Sequence, residues 1–147
     1  MPYCIVIADD ATMNRLLIKN ILSAALPDVV FEEALNGQEV LDIVARVSVD
    51  LIMLDLVMPV MDGYTALRAL KSDARYQDIP VIVNSAITEI KSIEDTLKVG
   101  AVDYFTKPLS PNDMKIILPL KVNNALHMYE QNKTIAALNH QINEELK

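Results

Sequence analysis

Three short runs of consecutive apolar residues constrain the fold of this chain more than any other feature. They span residues 3–8, 50–54 and 79–83. Apolar residues at consecutive rather than alternating positions are typical of strands that are covered on both faces, as in a parallel sheet. A fourth run at 102–105 and a weaker, more polar run at 29–34 bring the number of candidate strands to five.

The segments between these runs have helical periodicity. Apolar residues recur at helical spacing after each candidate strand, as in Leu16–Leu22, Val40–Val47, Leu67–Leu70 and Ile90–Leu97. Three helix-start signals agree with this periodicity: Asn36, Asp62 and Ser110, the last followed by a proline that suits the first helical position. The sequence therefore predicts an α/β fold of five β–α repeats, with parallel strands joined by right-handed crossovers.

Composition excludes several classes of function and environment. The chain has 147 residues, of which 52% are hydrophobic and 22% are charged, which is typical of one globular domain. Its net charge of −7 argues against direct binding of nucleic acid, which requires clustered Lys and Arg. A single cysteine, Cys4, permits no internal disulfide, and neither a signal peptide nor a membrane-spanning run is evident. We expect a cytoplasmic protein without membrane contact.

Polar residues with chemical potential follow the candidate strands. Asp9 and Asp10 follow the first strand, Asp55 ends the third, Ser85 ends the fourth, and Lys107 follows the fifth. Because ligands of such sheets bind beyond the carboxyl ends of the strands, we expect these side chains to converge. Three converging carboxylates repel each other unless a cation lies among them, and oxygen ligands without His or Cys favour Mg²⁺. Such a site suits phosphoryl transfer to a carboxylate nucleophile.

These residues lie within stretches that resemble one family. The order and spacing of five stretches over roughly residues 3–118 are similar to those of response-regulator receiver domains: Ile7-Ala8-Asp9-Asp10, Leu54-Asp55-Leu56-Val57-Met58-Pro59, Met61-Asp62-Gly63, Asn84-Ser85-Ala86 and Tyr104-Phe105-Thr106-Lys107-Pro108. The resemblance implies a flavodoxin-like, doubly wound five-stranded parallel sheet in the order 2-1-3-4-5, with helices on both faces. It also implies a signalling switch rather than an enzyme, one that catalyses only its own phosphorylation and dephosphorylation.

The resemblance assigns a metal site around the phosphorylated residue. It implies that Asp55 is the phosphoacceptor. Asp10, Asp55 and the backbone carbonyl of Val57 would ligate Mg²⁺, for which Mn²⁺ could substitute, and Asp9 would act through water. The phosphoryl group would come from a histidine kinase or a phosphotransfer protein.

The resemblance also assigns a phosphoryl-binding pair and a switch. Ser85 and Lys107 would hold the phosphoryl group, and Tyr104 would change rotamer as Ser85 moves toward it. The Lys107–Pro108 peptide bond is expected to be cis, which proline makes tolerable.

Two apolar residues bear on the lifetime of the phosphate. Val57 and Ile87 stand two residues after Asp55 and Ser85, and neither can hydrogen-bond a water that attacks the phosphoryl group. We therefore expect slow self-dephosphorylation. Val57 also argues against a haloacid-dehalogenase-like phosphohydrolase, which needs an acid at that position. A third alternative is a receiver-like interaction module that accepts no phosphate.

The C-terminal part of the chain differs from the rest. We divide the chain into a receiver domain, residues 1–118, and a helical extension, residues 119–147. Pro119 is expected to kink or split the final helix. Beyond it, Met128, Ile135 and Ile142 recur every seven residues with Leu138 between them, which indicates a coiled coil. This extension would serve as a linker to an output domain or as a homodimer contact, for which the fourth and fifth β–α units are an alternative surface.

Overall fold

The described residues of the chain form a five-stranded parallel sheet with helices on both faces. The computed structural model describes residues 2–107 and 110–146. The strand order β2-β1-β3-β4-β5 confirms the fold class and the order that the resemblance implied. The strands are β1 (Cys4–Ala8), β2 (Val30–Ala34), β3 (Leu51–Leu54), β4 (Val81–Ser85) and β5 (Asp103–Thr106).

The predicted strand positions are confirmed to within two residues. The largest difference is at β4, which was predicted from residue 79 but begins at Val81. Pro80 explains the late start because it has no N–H to donate to a neighbouring strand, although its carbonyl accepts from Ile52. The end of β4 at Ser85 brings this side chain to the same edge as the ends of the other strands.

Four helices alternate with the strands and a fifth follows β5. They are α1 (Thr12–Ala25), α2 (Gly37–Arg46), α3 (Gly63–Lys71), α4 (Ile90–Val99) and α5 (Pro111–Glu145). All three predicted start signals are confirmed as caps. The side chains of Asn36, Asp62 and Ser110 each accept a hydrogen bond from the backbone N–H three residues later.

The sheet separates two hydrophobic cores. Along β1, Val6 and Ala8 pack in the core toward α2 and α3, whereas Ile5 and Ile7 pack in the core toward α1 and α5. This alternation follows from the two-residue period of a strand. Both faces of the central strands are covered, which is why their apolar residues are consecutive. The carboxyl edge of the sheet remains open to ligands.

The final helix continues through Pro119 without a break, so the predicted split is wrong. Residues on both sides of the proline, Met114, Leu118, Val122 and Leu126, are buried in the core toward α1. This packing holds the two halves in one helix despite the hydrogen bond that proline removes. A domain boundary at residue 119 stays a prediction, and core contacts of α5 extend beyond it to Leu126.

Among the described residues, no helix combines the length and apolar character needed to span a membrane.

Candidate functional site

The strand register brings the predicted site residues to one edge of the sheet. Ala8 pairs with Leu54, so Asp9 and Asp55 both come directly after paired residues. The backbone N–H of Asp55 donates to the carbonyl of Ala8 at 2.9 Å. On the other side, Ser85 pairs with Thr106, and the next residue, Lys107, donates its backbone N–H to the carbonyl of Ser85 at 2.8 Å.

Three carboxylates form the centre of the site. One oxygen from each of Asp9, Asp10 and Asp55 can lie within 4.8 Å of the others. Asp9 and Asp55 are buried, whereas Asp10 is exposed and faces solvent. The three donors are hard oxygen atoms with no nitrogen or sulfur among them, a set that fits Mg²⁺ or Mn²⁺. The carboxylates therefore satisfy the chemical requirement for the predicted metal.

Lys107 bridges two of these carboxylates. Its Nζ lies 2.7 Å from Asp9 Oδ2 and 3.0 Å from Asp55 Oδ2. Burial lowers the pKa of Lys107, but the hydrogen bonds to Asp9 and Asp55 outweigh it and the pKa is raised. The ammonium group is therefore positively charged at neutral pH and offsets part of the charge of the cluster. It is the position from which a cation would meet a phosphoryl group on Asp55.

The Ser85 and Tyr104 side chains meet at the backbone of Ile87. Ser85 is fully buried, and its Oγ accepts a hydrogen bond from the N–H of Ile87 at 3.3 Å. The Tyr104 hydroxyl donates to the carbonyl of Ile87 at 2.8 Å. Burial is the main cause of a raised Tyr104 pKa, so the hydroxyl keeps its proton at neutral pH and remains a donor. Movement of Ser85 would thus affect the residue that anchors the tyrosine.

The predicted roles of Val57 and Pro108 are not tested by the structure. The N–H of Val57 donates to Asp55 Oδ1 at 3.1 Å, and the Val57 side chain is more than half exposed. Ligation by the Val57 carbonyl stays a prediction. Pro108 lies outside the described residues, so the predicted cis peptide bond after Lys107 is untested.

Two residues that hydrogen-bond to Asp9 were not predicted from the sequence. Asn14 donates from Nδ2 to Asp9 Oδ2 at 3.3 Å. Arg15 donates from Nη1 to the backbone carbonyl of Asp9 at 2.8 Å and from Nε to Glu33 on β2 at 3.0 Å. Both residues lie in the first turn of α1, four and five positions after Asp10, so a search of strand ends could not find them. The sequence signal that could have found them is their position in the first turn of a helix that starts at Thr12.

The loop between β3 and α3 contains an unfavourable backbone conformation. Val60 has a φ of 65°, and its side chain is 87% exposed. A β-branched residue is strained in this region, at a cost of about 1–2 kcal/mol. The strain lies in a tight turn in which the N–H of Met61 donates to the carbonyl of Pro59 at 2.7 Å.

We expect Val60→Asn to stabilise the protein by roughly 1 kcal/mol, because asparagine tolerates a positive φ. The free energy of unfolding in urea measures the effect. Val102→Asn is the matched control, since Val102 is another exposed valine outside the helices and strands and has no positive φ. An equal effect of the two substitutions would show that strain at Val60 is not the cause.

Comparisons with known proteins agree with this geometry. The family model described as the response regulator receiver domain matches residues 5–118. The chain is 42% identical over 111 residues to a protein-glutamate methylesterase/protein-glutamine glutaminase of Trichodesmium erythraeum, covering 74% of this chain and 31% of that protein. It is 35% identical over 114 residues to the DNA-binding dual master transcriptional regulator RpaA of Synechocystis, covering 78% and 46%. The chain thus spans less than half the length of these two relatives.

A solved structure shows the same fold. The CheY-like response regulator receiver domain protein of Methanospirillum hungatei superposes with a TM-score of 0.78 at 23% identity. The superposition covers 90% of this chain and 99% of that one.

Proposed function

We propose, since this chain belongs to the response regulator receiver family, that it is a signalling switch in which Asp55 accepts a phosphoryl group with the help of Mg²⁺. The observation that carries the proposal is the bridge from Lys107 to Asp9 and Asp55 beside a cluster of three carboxylates. A buried nucleophile, a hard-cation site and a mobile ammonium at one sheet edge are the parts that phosphoryl transfer to a carboxylate needs. Mn²⁺ would serve in place of Mg²⁺.

The donor we propose is a phosphohistidine on a histidine kinase or a phosphotransfer protein. A carboxylate oxygen of Asp55 attacks phosphorus, the P–N bond to the donor breaks, and the electron pair leaves with the imidazole, which takes a proton from solvent. Asp10, Asp55 and the Val57 carbonyl would hold the metal directly and Asp9 through water. The metal when bound supplies positive charge to the phosphoryl oxygens. Lys107 supplies a second positive charge at the same place.

Phosphorylation would be read through the Ser85–Tyr104 pair. Phosphorylation replaces the single negative charge of the Asp55 carboxylate with a group of charge about −2, at a site where Ser85 supplies a hydroxyl donor. Movement of Ser85 toward it would break the bond from Ile87 N–H to Ser85 Oγ, and Tyr104 donates to the same residue. The change would spread to the loop before α4, which contains Ile87, and to β5, which contains Tyr104. The switch is a shift of population, so phosphate must favour one of the two packings.

A ligand-binding experiment separates this function from an inert receiver-like module. NMR spectra are recorded with Mg²⁺ and then with beryllofluoride, a mimic of the phosphoryl group. We expect Mg²⁺ alone to shift signals around Asp10 and Asp55, and we expect further changes at Ser85, Lys107 and Tyr104 that require both additions. A protein whose spectrum stays unchanged around Asp55 would be an interaction module that accepts no phosphate. Sustained turnover of a phosphomonoester would instead support the phosphohydrolase alternative.

Removal of the Lys107 charge tests the electrostatics of the site. Without metal, Lys107→Met leaves Asp9 and Asp55 buried without their shared cation, so we expect a loss of about 2–3 kcal/mol of unfolding free energy in EDTA. Saturating Mg²⁺ should restore much of this loss. Lys121→Met is the control, because Lys121 forms a 2.7 Å ion pair with Asp103 away from the site. If Mg²⁺ changed the two variants equally, Lys107 would not share a site with the metal.

Slow loss of the phosphate is the prediction for Val57 and Ile87. Neither side chain can orient a water for attack on the phosphoryl group. Both line a cavity beside the loop between β3 and α3 that follows Asp55. We expect Val57→Asn combined with Ile87→Glu to shorten the lifetime of the aspartyl phosphate by about tenfold or more, because these groups can hydrogen-bond that water. The decay of phosphorylated protein after removal of the donor measures it. A wild-type lifetime no longer than that of the double variant would contradict the idea.

The partner and the location are part of the same proposal. We propose that the protein and its donor, a kinase or phosphotransfer protein, act in the cytoplasm. An acidic protein with a single cysteine, which permits no internal disulfide, is in keeping with that compartment. The output that the switch controls depends on what it contacts. The methylesterase and the transcriptional regulator to which it is similar illustrate two different outputs.

A further inference from the structure

The last five turns of α5 carry an exposed apolar stripe. Met128, Ile135, Leu138 and Ile142 are each more than half exposed, and Leu146 is more exposed still. We call residues 128–146 the stalk and these five side chains the stripe. The last core residue of α5 is Leu126, so the stripe starts where packing against the sheet ends. Apolar side chains that continue along one helix face indicate a surface that another molecule covers.

The opposite face of the stalk is fastened to the domain. Glu130 accepts a hydrogen bond from the Tyr3 hydroxyl, and Lys133 Nζ lies 3.9 Å from Asp50 Oδ1. At 3.6 residues per turn, Glu130 and Lys133 lie on the same side of α5 as the buried Leu126. Ile135, Leu138 and Ile142 are therefore turned away from the domain, whereas Met128, at the start of the stripe, lines a cavity with Pro80 and Val102 of the domain.

The spacing of the stripe fits a second helix of the same kind. Met128, Ile135 and Ile142 are seven residues apart, and Leu138 stands three after Ile135 and four before Ile142. These are the a and d positions of a heptad repeat, which form the seam of a coiled coil. Leu138 is the one apolar residue among the three d positions. Isoleucine at a with leucine at d, as at Ile135 and Leu138, favours two parallel strands.

The charges beside the seam favour an identical partner. The e and g positions lie on each side of the seam and face the partner helix. Five of the six hold polar residues that carry no formal charge when histidine is neutral: His127, Asn132, Thr134, Asn139 and Gln141. The sixth, at the last e position, is Leu146. Charged residues at these positions select partners of complementary charge and repel an identical helix of like charge. Two copies of this stalk meet no such repulsion at the e and g positions. Within the seam, Gln131 and Glu145 are the polar residues at d, and the two copies of Glu145 would face each other at its end, which weakens the pair.

We propose that the stalk pairs with the stalk of a second copy of this chain in a parallel, in-register coiled coil. The two domains then lie side by side at the same end of the dimer. The stalk is about 28 Å long, which is short for a coiled coil, so association is expected to be reversible and dependent on concentration. The interaction does not involve Asp55, and its test is independent of phosphorylation.

Sedimentation equilibrium of the full chain tests the interface, at concentrations up to roughly 1 mM, where even a weak dimer is populated. We expect dimerisation of the wild type and at least a tenfold weaker association of Ile135→Asn with Leu138→Asn. Ile116→Asn is the matched control, because Ile116 is an exposed isoleucine of α5 outside the stalk. It should dimerise like the wild type. A monomeric wild type overturns the proposal, and so does a dimer that Ile116→Asn disrupts and the stalk variant leaves intact.

Disulfide trapping tests the orientation in a Cys4→Ser background. In a parallel, in-register dimer each residue of the seam faces its own copy, so Ile142→Cys should form a disulfide between chains with oxidised glutathione. In an antiparallel dimer residue 142 would lie near residue 131 or 132 of the partner. Trapping that occurs only when Ile142→Cys is mixed with Gln131→Cys would overturn the parallel arrangement.

Discussion

Replacement of Asp55 by asparagine should abolish phosphorylation of this protein. Incubation of the wild type with Mg²⁺ and phosphoramidate, a small phosphoryl donor, should raise its intact mass by one phosphoryl group. Asp55→Asn has nearly the same shape, but the amide is no nucleophile toward phosphorus. We expect labelling to fall by at least about a hundredfold, as for the loss of a covalent nucleophile.

Asp62→Asn is the matched control for this loss. Asp62 lies in the loop after Asp55, and its side chain accepts a hydrogen bond from Thr65 N–H at 2.7 Å to cap α3. Asparagine caps helices as well as aspartate does. The control should therefore be labelled at close to the wild-type level. Equal labelling of Asp55→Asn and Asp62→Asn would place the phosphoryl group elsewhere.

The second large effect is expected from Gly63→Ala. A Cβ atom on Gly63 would lie 2.0 Å from the backbone carbonyl oxygen of Asp55, well inside the van der Waals contact distance. Alanine in the first turn of a helix normally stabilises it by up to about 1 kcal/mol relative to glycine. Here the clash reverses the sign, and we expect a loss of about 3 kcal/mol, because backbone atoms must move to admit the methyl group.

Urea unfolding measures this loss, with Thr65→Ala as the control in the same helical turn. Thr65 is exposed, and its backbone N–H remains available to Asp62 after the substitution. We expect the control to change the unfolding free energy by less than about 0.5 kcal/mol. The displaced Asp55 should also be phosphorylated more slowly in the fraction of Gly63→Ala that folds. A Gly63→Ala protein as stable as the wild type would show that the loop can move away at no cost.

The convergence of the site could be predicted because it follows from strand ends alone. Asp9, Asp55, Ser85 and Lys107 each stand at or just after the end of an apolar run. Parallel strands of similar length end at one edge, so their order along the chain is enough to place them together. The bridge from Lys107 to Asp9 and Asp55 is the structural outcome of that rule.

The features that could not be predicted depend on tertiary contacts. Gly63 lies in a stretch that resembles the family, but its approach to Asp55 could not be predicted because it is a distance between two segments. The positive φ of Val60 could not be predicted either, because β-branched residues are not expected in that conformation. Pro119 was expected to kink or split α5, but core packing on both sides keeps the helix continuous. At Pro119, packing outweighed the local preference of the residue.

The most direct test of Asp55 as the phosphoacceptor locates the phosphoryl group chemically. An aspartyl phosphate is a mixed anhydride, so borohydride reduces the acyl carbon to an alcohol, releases phosphate and leaves homoserine. We predict that tandem mass spectrometry of protein treated with phosphoramidate and then borohydride finds homoserine at position 55 alone, and only when Mg²⁺ was present. Homoserine at position 9 or 10, or none at any position, would contradict the assignment of Asp55 as the phosphoacceptor.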